Sequence, residues 1–243
     1  MAKFRLKHAA QREFTNDDLS GCLVTVEDPA GIASESYRAL RTRLFHILAD
    51  LQPKVIMLTS ASPKEGKSTT CANLGVALAQ ADRSTLLMDC DLRNPVLHKI
   101  FGLRNFRGLV DVLVGAYDLQ AVLQEPFPNL QVATAGPVPY NPSELLSSER
   151  FAEVVYQVRQ RFDYLLIDSP HVLMDSSPLG ALADPVILST QADGMLDGVL
   201  LVLDAHSTDK KTLQRAVHML ETAGANILGT IVNNVKISKR GYL

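Results

Sequence analysis

An α/β fold, built as a doubly wound and mainly parallel sheet with helices on both faces, is predicted by three observations. Short aliphatic or β-branched runs alternate with longer helical patterns along most of the 243 residues. Two of the runs, Leu165-Leu166-Ile167 and Val199-Leu200-Leu201-Val202-Leu203, are apolar without interruption, as strands are when helices cover both faces of a parallel sheet. At 47% hydrophobic and 21% charged residues, the composition is that of a globular chain long enough to bury a large core.

Residues 1 to about 30 lack periodicity and read as an arm ending in the turn-forming cluster Glu27-Asp28-Pro29-Ala30-Gly31, so the body is expected from residue 31 to 243. Over 34–51, Tyr37, Leu40, Leu44, Ile47, Leu48 and Leu51 recur at three- and four-residue spacing and line one helix face, which Pro53 ends. A strand is predicted over 54–60, a helix over 66–81 and a strand over 84–89. Further strands are predicted at 130–134, 163–168, 198–204 and 227–233, with helices near 149–161, 177–190 and 209–223. In such a sheet, ligands bind beyond the carboxyl ends of the strands, so the residues that matter should follow strand ends.

Several function classes are disfavoured by composition. The 24 basic and 26 acidic residues leave a net charge of -2, without the basic footprint of a nucleic-acid reader, and no nucleic-acid partner is expected. The 3 cysteines form no CxxC pair, which fits a reducing compartment. The N-terminus lacks a secretory apolar stretch and no run reaches a membrane-spanning length, so the expected location is cytoplasmic, with any membrane role requiring a partner.

Directly after the first predicted strand stands Thr59-Ser60-Ala61-Ser62-Pro63-Lys64-Glu65-Gly66-Lys67-Ser68-Thr69-Thr70, and a helical pattern begins at once. Strand, loop and helix in this order are the context of a Walker A phosphate loop. Its backbone N–H groups and the helix N-terminus would cradle phosphate oxygens, Lys67 would reach the β- and γ-phosphates of ATP, and the Ser68 hydroxyl would ligate magnesium. Ala61 stands where the strict pattern has glycine. The second strand ends Met88-Asp89-Cys90-Asp91-Leu92-Arg93, and the fourth ends Leu165-Leu166-Ile167-Asp168-Ser169-Pro170, an apolar run closed by an acid in the Walker B manner. Magnesium takes hard oxygen ligands, and Asp89 and Asp168 are the candidates. A strand-end carboxylate can also serve as a plain helix cap.

Taken together, the loop Ser60-x-x-Pro63-x-Glu65-Gly66-Lys67-Ser68, the acid pair and arginine at 89–93, and Ile167-Asp168-Ser169-Pro170 resemble the bacterial tyrosine kinases, the P-loop autokinases associated with capsule and exopolysaccharide synthesis, whose fold is MinD/ParA-like. The resemblance spans roughly 31–238. It includes Glu35-x-x-Arg38-x-x-Arg41, Asn94-Pro95, Asn141-Pro142-Ser143-Glu144-Leu145-Leu146 and Gly229-Thr230-Ile231-Val232-Asn233. It implies a protein-tyrosine kinase using ATP and Mg2+, with Pro63, Lys64, Glu65, Gly66, Lys67, Ser68 and Thr69 around the phosphates and Asn233 reading adenine. Lys67, Asp89, Asp91 and Asp168 become the catalytic set, with Ser68, Asp89 and Asp168 at the metal. Asp89 and Asp91 serve metal binding and activation of the tyrosine hydroxyl, in an order that spacing leaves open. Arg93 would either neutralise phosphate charge or pair with an acid.

The resemblance further implies oligomerisation through the Glu35, Arg38 and Arg41 helix and a membrane-bound polysaccharide co-polymerase as activator, recruiting the kinase to the inner face of the membrane. Four features depart from the family pattern: one tyrosine, Tyr242, stands in the tail where a cluster is usual, His171 stands where proline tends to repeat, the segment from Met174 to Leu182 is longer than expected before Ala183-Asp184, and an extra Met195-Leu196-Asp197 separates Gly194 from the next strand. The other five tyrosines, most of them in patterned segments, are expected to pack. The competing readings are a ParA/MinD-like ATPase switch, whose signature lysine position is here Ser62, and an ATP-dependent scaffold with little turnover.

Overall fold

The structure is a computed structural model that describes residues 20–50, 54–173, 183–190 and 196–236. A 3-10 turn at Ser20–Cys22 leads into α1 (Val24–Glu27) and α2 (Ile32–Ile47), then β1 (Lys54–Ser60), α3 (Lys67–Ala79) and β2 (Thr85–Asp89). Three short helices follow, α4 (Leu97–Phe101), α5 (Leu109–Leu113) and α6 (Leu119–Val122), and then β3 (Leu123–Phe127) and β4 (Leu130–Ala133). The chain continues through α7 (Pro142–Leu146), α8 (Glu149–Arg159), β5 (Tyr164–Asp168), α9 (Ala183–Thr190), β6 (Gly198–Asp204), α10 (Lys210–Thr222) and β7 (Ile227–Asn233).

The strands form one seven-stranded sheet in the order β3-β4-β2-β5-β1-β6-β7, parallel throughout except for the antiparallel β3–β4 pair at one edge. β1 is central and buried along its whole length. Its side chains alternate between two cores, Val55 and Met57 packing with Phe151, Val154, Ala216 and Leu220 on one face, and Ile56 and Leu58 with Leu44, Leu74 and Phe101 on the other. The alternation explains the uninterrupted apolar run: both faces of the strand must be dry. Close approach of α3 to the sheet depends on Gly75, where a β-carbon would meet Leu87 Cδ2 at 2.6 Å.

Three features differ from the sequence reading. The antiparallel edge strand β3 was not expected, and it makes the strand carrying Asp168 the fifth in the chain rather than the fourth. Packing also begins before Gly31: Leu23 and Thr25 are buried, and Thr25 donates from N and Oγ1 to Asn73 Oδ1 on α3 at 3.0 and 2.9 Å. The first long helix runs Ile32–Ile47 rather than 34–51. Residues 174–182, part of the helix predicted at 177–190, lie outside the described residues, as do Tyr242 and most of the predicted arm.

Candidate active site

Because β1, β2, β5, β6 and β7 are parallel, their carboxyl ends share one edge, and the predicted site residues converge there. The register pairs Asp89 directly with Asp168 on adjacent strands, while β1 runs past both into the phosphate loop. The turn into α3 is made by Lys64 at φ 65 and Gly66 at φ 90, both left-handed. Gly66 is required twice over. It holds the left-handed N-cap of α3, and a β-carbon there would lie 2.0 Å from Asn233 Nδ2. That amide donates to the Glu65 carbonyl at 3.3 Å, so Asn233 at the end of β7 touches the phosphate loop.

Lys67 lies at the centre. Its ammonium donates to Asp91 Oδ2 at 2.9 Å and to Ser68 Oγ at 3.2 Å, and stands 3.6 Å from Asp168 Oδ1. Burial alone would lower the Lys67 pKa, but the charges of Asp168 and Asp91 outweigh it and hold the ammonium above its ordinary value. The two strand-end acids behave differently. Asp89 is pushed well above the usual carboxylate range by burial and by the charge of Asp168, and Asp168 is raised by burial, against the opposing pull of Lys67. Asp89 Oδ2 accepts from the N–H groups of Val96 and Leu97 at 3.1 and 3.0 Å, capping the start of α4, whereas its Oδ1 is buried without a hydrogen-bond partner. Both Asp168 oxygens are also buried without one.

Those three oxygens are an observation about chemistry. Buried carboxylate oxygens are satisfied in nearly all native proteins, and exceptions ask for a bound group. A hard divalent cation with oxygen ligands fits the set, with Ser68 Oγ beside it. Among the described residues no group of three or more His, Cys, Asp or Glu could hold an ion unaided.

The other predicted residues fall into distinct roles. Pro63 and Lys64 are exposed on the loop, and Thr69 is half-buried in the first turn of α3. Glu65, predicted beside the phosphates, braces the loop through its side chain: it is buried, Oε2 accepts from Ser62 N at 3.0 Å, and Oε1 accepts from the hydroxyl of Thr208. Thr208 and Asn234, which sequence reasoning missed, complete a support behind the loop around Asp204. Hydrogen bonds from the Asn234 side chain and the backbone of His206 and Ser207 hold the Asp204 carboxyl down at about 2. The acid closing the apolar 198–204 run was the signal available for it.

Arg93 pairs with an acid rather than pointing at the loop. Its Nε donates to Asp184 Oδ2 at 2.9 Å and its Nη2 to Ser143 Oγ at 3.0 Å, which joins the arginine after β2 to the Asn141-Pro142-Ser143 segment and to α9. Glu35, Arg38 and Arg41 lie away from this edge on α2. Arg38 pairs with Glu35 at 2.7 Å at the surface, while Arg41 turns inward and donates to the Ala77 carbonyl on α3 at 2.9 Å.

With this geometry in place, similarity to known proteins can be weighed. The family model described as the CobQ/CobB/MinD/ParA nucleotide binding domain matches residues 56–242. The tyrosine-protein kinase YwqD of Bacillus subtilis is 39% identical over 218 residues, which cover 89% of this chain and 87% of that protein. The chain belongs to the bacterial tyrosine-kinase family. It also matches the longer tyrosine-protein kinase wzc of Salmonella typhimurium, 33% identical over 222 residues, of which it spans 29%. Among solved structures, the kinase domain of the Escherichia coli tyrosine kinase ETK superposes with a TM-score of 0.82 at 29% identity, covering 97% of this chain and 86% of that one. The septum site-determining protein MinD of Pyrococcus horikoshii, solved with Mg-ADP, gives 0.58 at 26% identity over 77% of this chain and 72% of that one. The predicted fold class, a doubly wound and mainly parallel sheet of the MinD/ParA type, is therefore the observed one.

Proposed function

We propose that the chain transfers the γ-phosphoryl group of Mg·ATP to tyrosine hydroxyls, as a protein-tyrosine kinase acting in exopolysaccharide or capsule assembly. The observation that carries this reading is the Lys67 ammonium held by Asp91 and by Asp168 Oδ1, beside Asp89 Oδ1 and Asp168 Oδ2, which are buried without a hydrogen bond. Membership of the tyrosine-kinase family supports the choice of acceptor.

The chain's own residues divide the work as follows. Gly66 and the N-terminus of α3 present N–H groups to the phosphates, and Lys67 leaves Asp91 to contact them as ATP enters. Asp89, Asp168 and Ser68 would hold magnesium. When bound, the ion neutralises charge on the transferring phosphoryl group. Asp91 is then released from its ammonium partner. It is less deeply buried than Asp89, while Asp89 is committed to α4, so Asp91 is the group that takes the phenolic proton. A phenol with a pKa near ~10 needs such an acceptor at neutral pH. Asn233, whose contact with the phosphate loop supports the assignment, would read the adenine through its amide.

Assembly of copies through α2 belongs to the same proposal. Glu35 is exposed there, while Arg38 pairs with it and with the Pro29 carbonyl and Arg41 donates to the Ala77 carbonyl within the same chain. Among the described residues no helix is long and apolar enough to cross a membrane. In the same proposal, recruitment to the membrane's inner face falls to a membrane-bound polysaccharide co-polymerase, which also serves as activator.

Incubation with γ-labelled ATP, magnesium and a poly(Glu,Tyr) acceptor tests the reading. Phosphotyrosine should form, and Lys67→Ala should lower the rate by roughly 10²–10³-fold. Nucleotide hydrolysis or ATP-dependent assembly without phosphotyrosine would instead establish the switch or the scaffold.

A further inference from the structure

Of the six tyrosines in the sequence, five are described, and their surroundings differ sharply. Tyr164 is buried in β5, and burial lifts its hydroxyl to about 12. Tyr37 is half-buried on α2 and is also raised by burial. Tyr117 is half-buried under the Arg107 guanidinium, 4.6 Å from the ring centroid. Tyr156 is exposed, but it sits in the last turn of α8, which leads into the amino end of β5 and hence to the edge of the sheet opposite the phosphate loop.

Tyr140 alone combines full exposure with the active-site edge. It follows β4, whose carboxyl end lies beside that of β2 in the parallel β2–β4 pair, so the segment leaves the sheet on the side of Asp89 and Asp91. The segment is anchored at both ends. Gly136 is clasped by Asn105 through two hydrogen bonds of 3.0 and 2.9 Å, and Ser143 accepts from Arg93 two residues beyond Asp91. Between these anchors runs Pro137-Val138-Pro139-Tyr140-Asn141-Pro142. Pro137, Pro139 and Pro142 each fix φ, so the segment bends at Tyr140 and enters α7 at Pro142 with few backbone alternatives. A segment restrained in this way loses less conformational entropy when it meets another molecule's site.

We propose that Tyr140 is a phosphoacceptor of this protein, displayed on the 136–143 loop for transfer from a second copy of the chain. The inference rests on the kinase reading above and deepens it by naming the acceptor. Full exposure displays Tyr140 to a neighbouring copy, and in this proposal transfer runs between copies. The phenolic oxygen of Tyr140 attacks the γ-phosphorus, and the bond from that phosphorus to the β,γ-bridging oxygen breaks. ADP leaves with the electron pair, and the phenolic proton passes to Asp91 of the copy holding ATP.

The test uses the full chain at high concentration with magnesium and γ-labelled ATP, followed by phosphosite mapping, with wild-type enzyme as donor and the Lys67→Ala chain as acceptor. The Lys67→Ala acceptor should be labelled chiefly at Tyr140. A Lys67→Ala, Tyr140→Phe acceptor should lose most of its label, whereas Lys67→Ala, Tyr156→Phe should keep it. Poly(Glu,Tyr) is run alongside as an acceptor independent of Tyr140. Label on that polymer with none on Tyr140 overturns the inference and leaves the kinase reading standing. Absence of phosphotyrosine from both acceptors overturns the two together.

Discussion

Gly66→Ala is the substitution whose consequence is worked most directly from the geometry. The residue sits at φ 90 and ψ 20, and forcing an L side chain into that left-handed region costs about 1–2 kcal/mol. The new methyl would also lie 2.0 Å from Asn233 Nδ2, so the asparagine must move and give up its 3.3 Å hydrogen bond to the Glu65 carbonyl, worth about 0.5–1.5 kcal/mol. A loss of about 1.5–3.5 kcal/mol follows, which for a chain of this size lowers Tm by roughly 3–14 °C. The assay is thermal unfolding of four proteins: wild type, Gly66→Ala, Asn233→Ala and the double variant. Removing the Asn233 side chain relieves the clash, so Gly66→Ala should cost about 0.5–1.5 kcal/mol less in the Asn233→Ala background. Additive effects, or an unchanged Tm for Gly66→Ala alone, would refute the close contact between the phosphate loop and β7.

Asp168→Asn removes a buried carboxylate that faces the Lys67 ammonium at 3.6 Å, and the variant should lose kinase activity in the labelled-ATP assay. Stability also depends on pH through the two strand-end acids. Folded Asp89 and Asp168 hold their protons at higher pH than they do unfolded, so wild-type stability from these groups falls as pH rises from the ordinary carboxylate range through their raised values, and thermal melts of Asp168→Asn across that window should show a shallower fall. Arg93→Ala strips the guanidinium from the buried Asp184 and should destabilise by roughly 1–3 kcal/mol in denaturant titration, with Asp184→Ala recovering part of the loss; an effect on rate without one on stability would place Arg93 at the phosphates instead. Thr208→Val removes the hydroxyl that bonds Glu65, and hydrogen exchange in the 62–66 loop should quicken in the variant.

The parts of the fold legible in the sequence are those with enough length to show a period. The seven-residue runs at 54–60 and 198–204 coincide with β1 and β6, because burial on both faces leaves no polar interruption. β3 escaped for the opposite reason: Leu123-Gln124-Glu125-Pro126-Phe127 carries a charge and a proline, which an edge strand tolerates and a central one does not. The five-residue helices α4, α5 and α7 are too short to repeat an apolar stripe, and the four-residue α1 hid the burial of Leu23 and Thr25. At the site, Gly66, Lys67, Asp89 and Asp168 were readable because each follows a strand end. The bond of Glu65 to Thr208, 143 residues apart, and that of Arg93 to Asp184, 91 apart, were not, since only the sheet order brings those loops together.

The central claim is that Asp89 and Asp168 wait for a divalent ion that arrives with ATP. Isothermal titration of wild type and Asp168→Asn with ATP, each in magnesium and in EDTA, tests it most directly. Wild type should bind at least about tenfold more tightly with magnesium, a gain of about 1.4 kcal/mol, and the variant should show little difference between the two conditions. Equal magnesium enhancement in both proteins would contradict the claim.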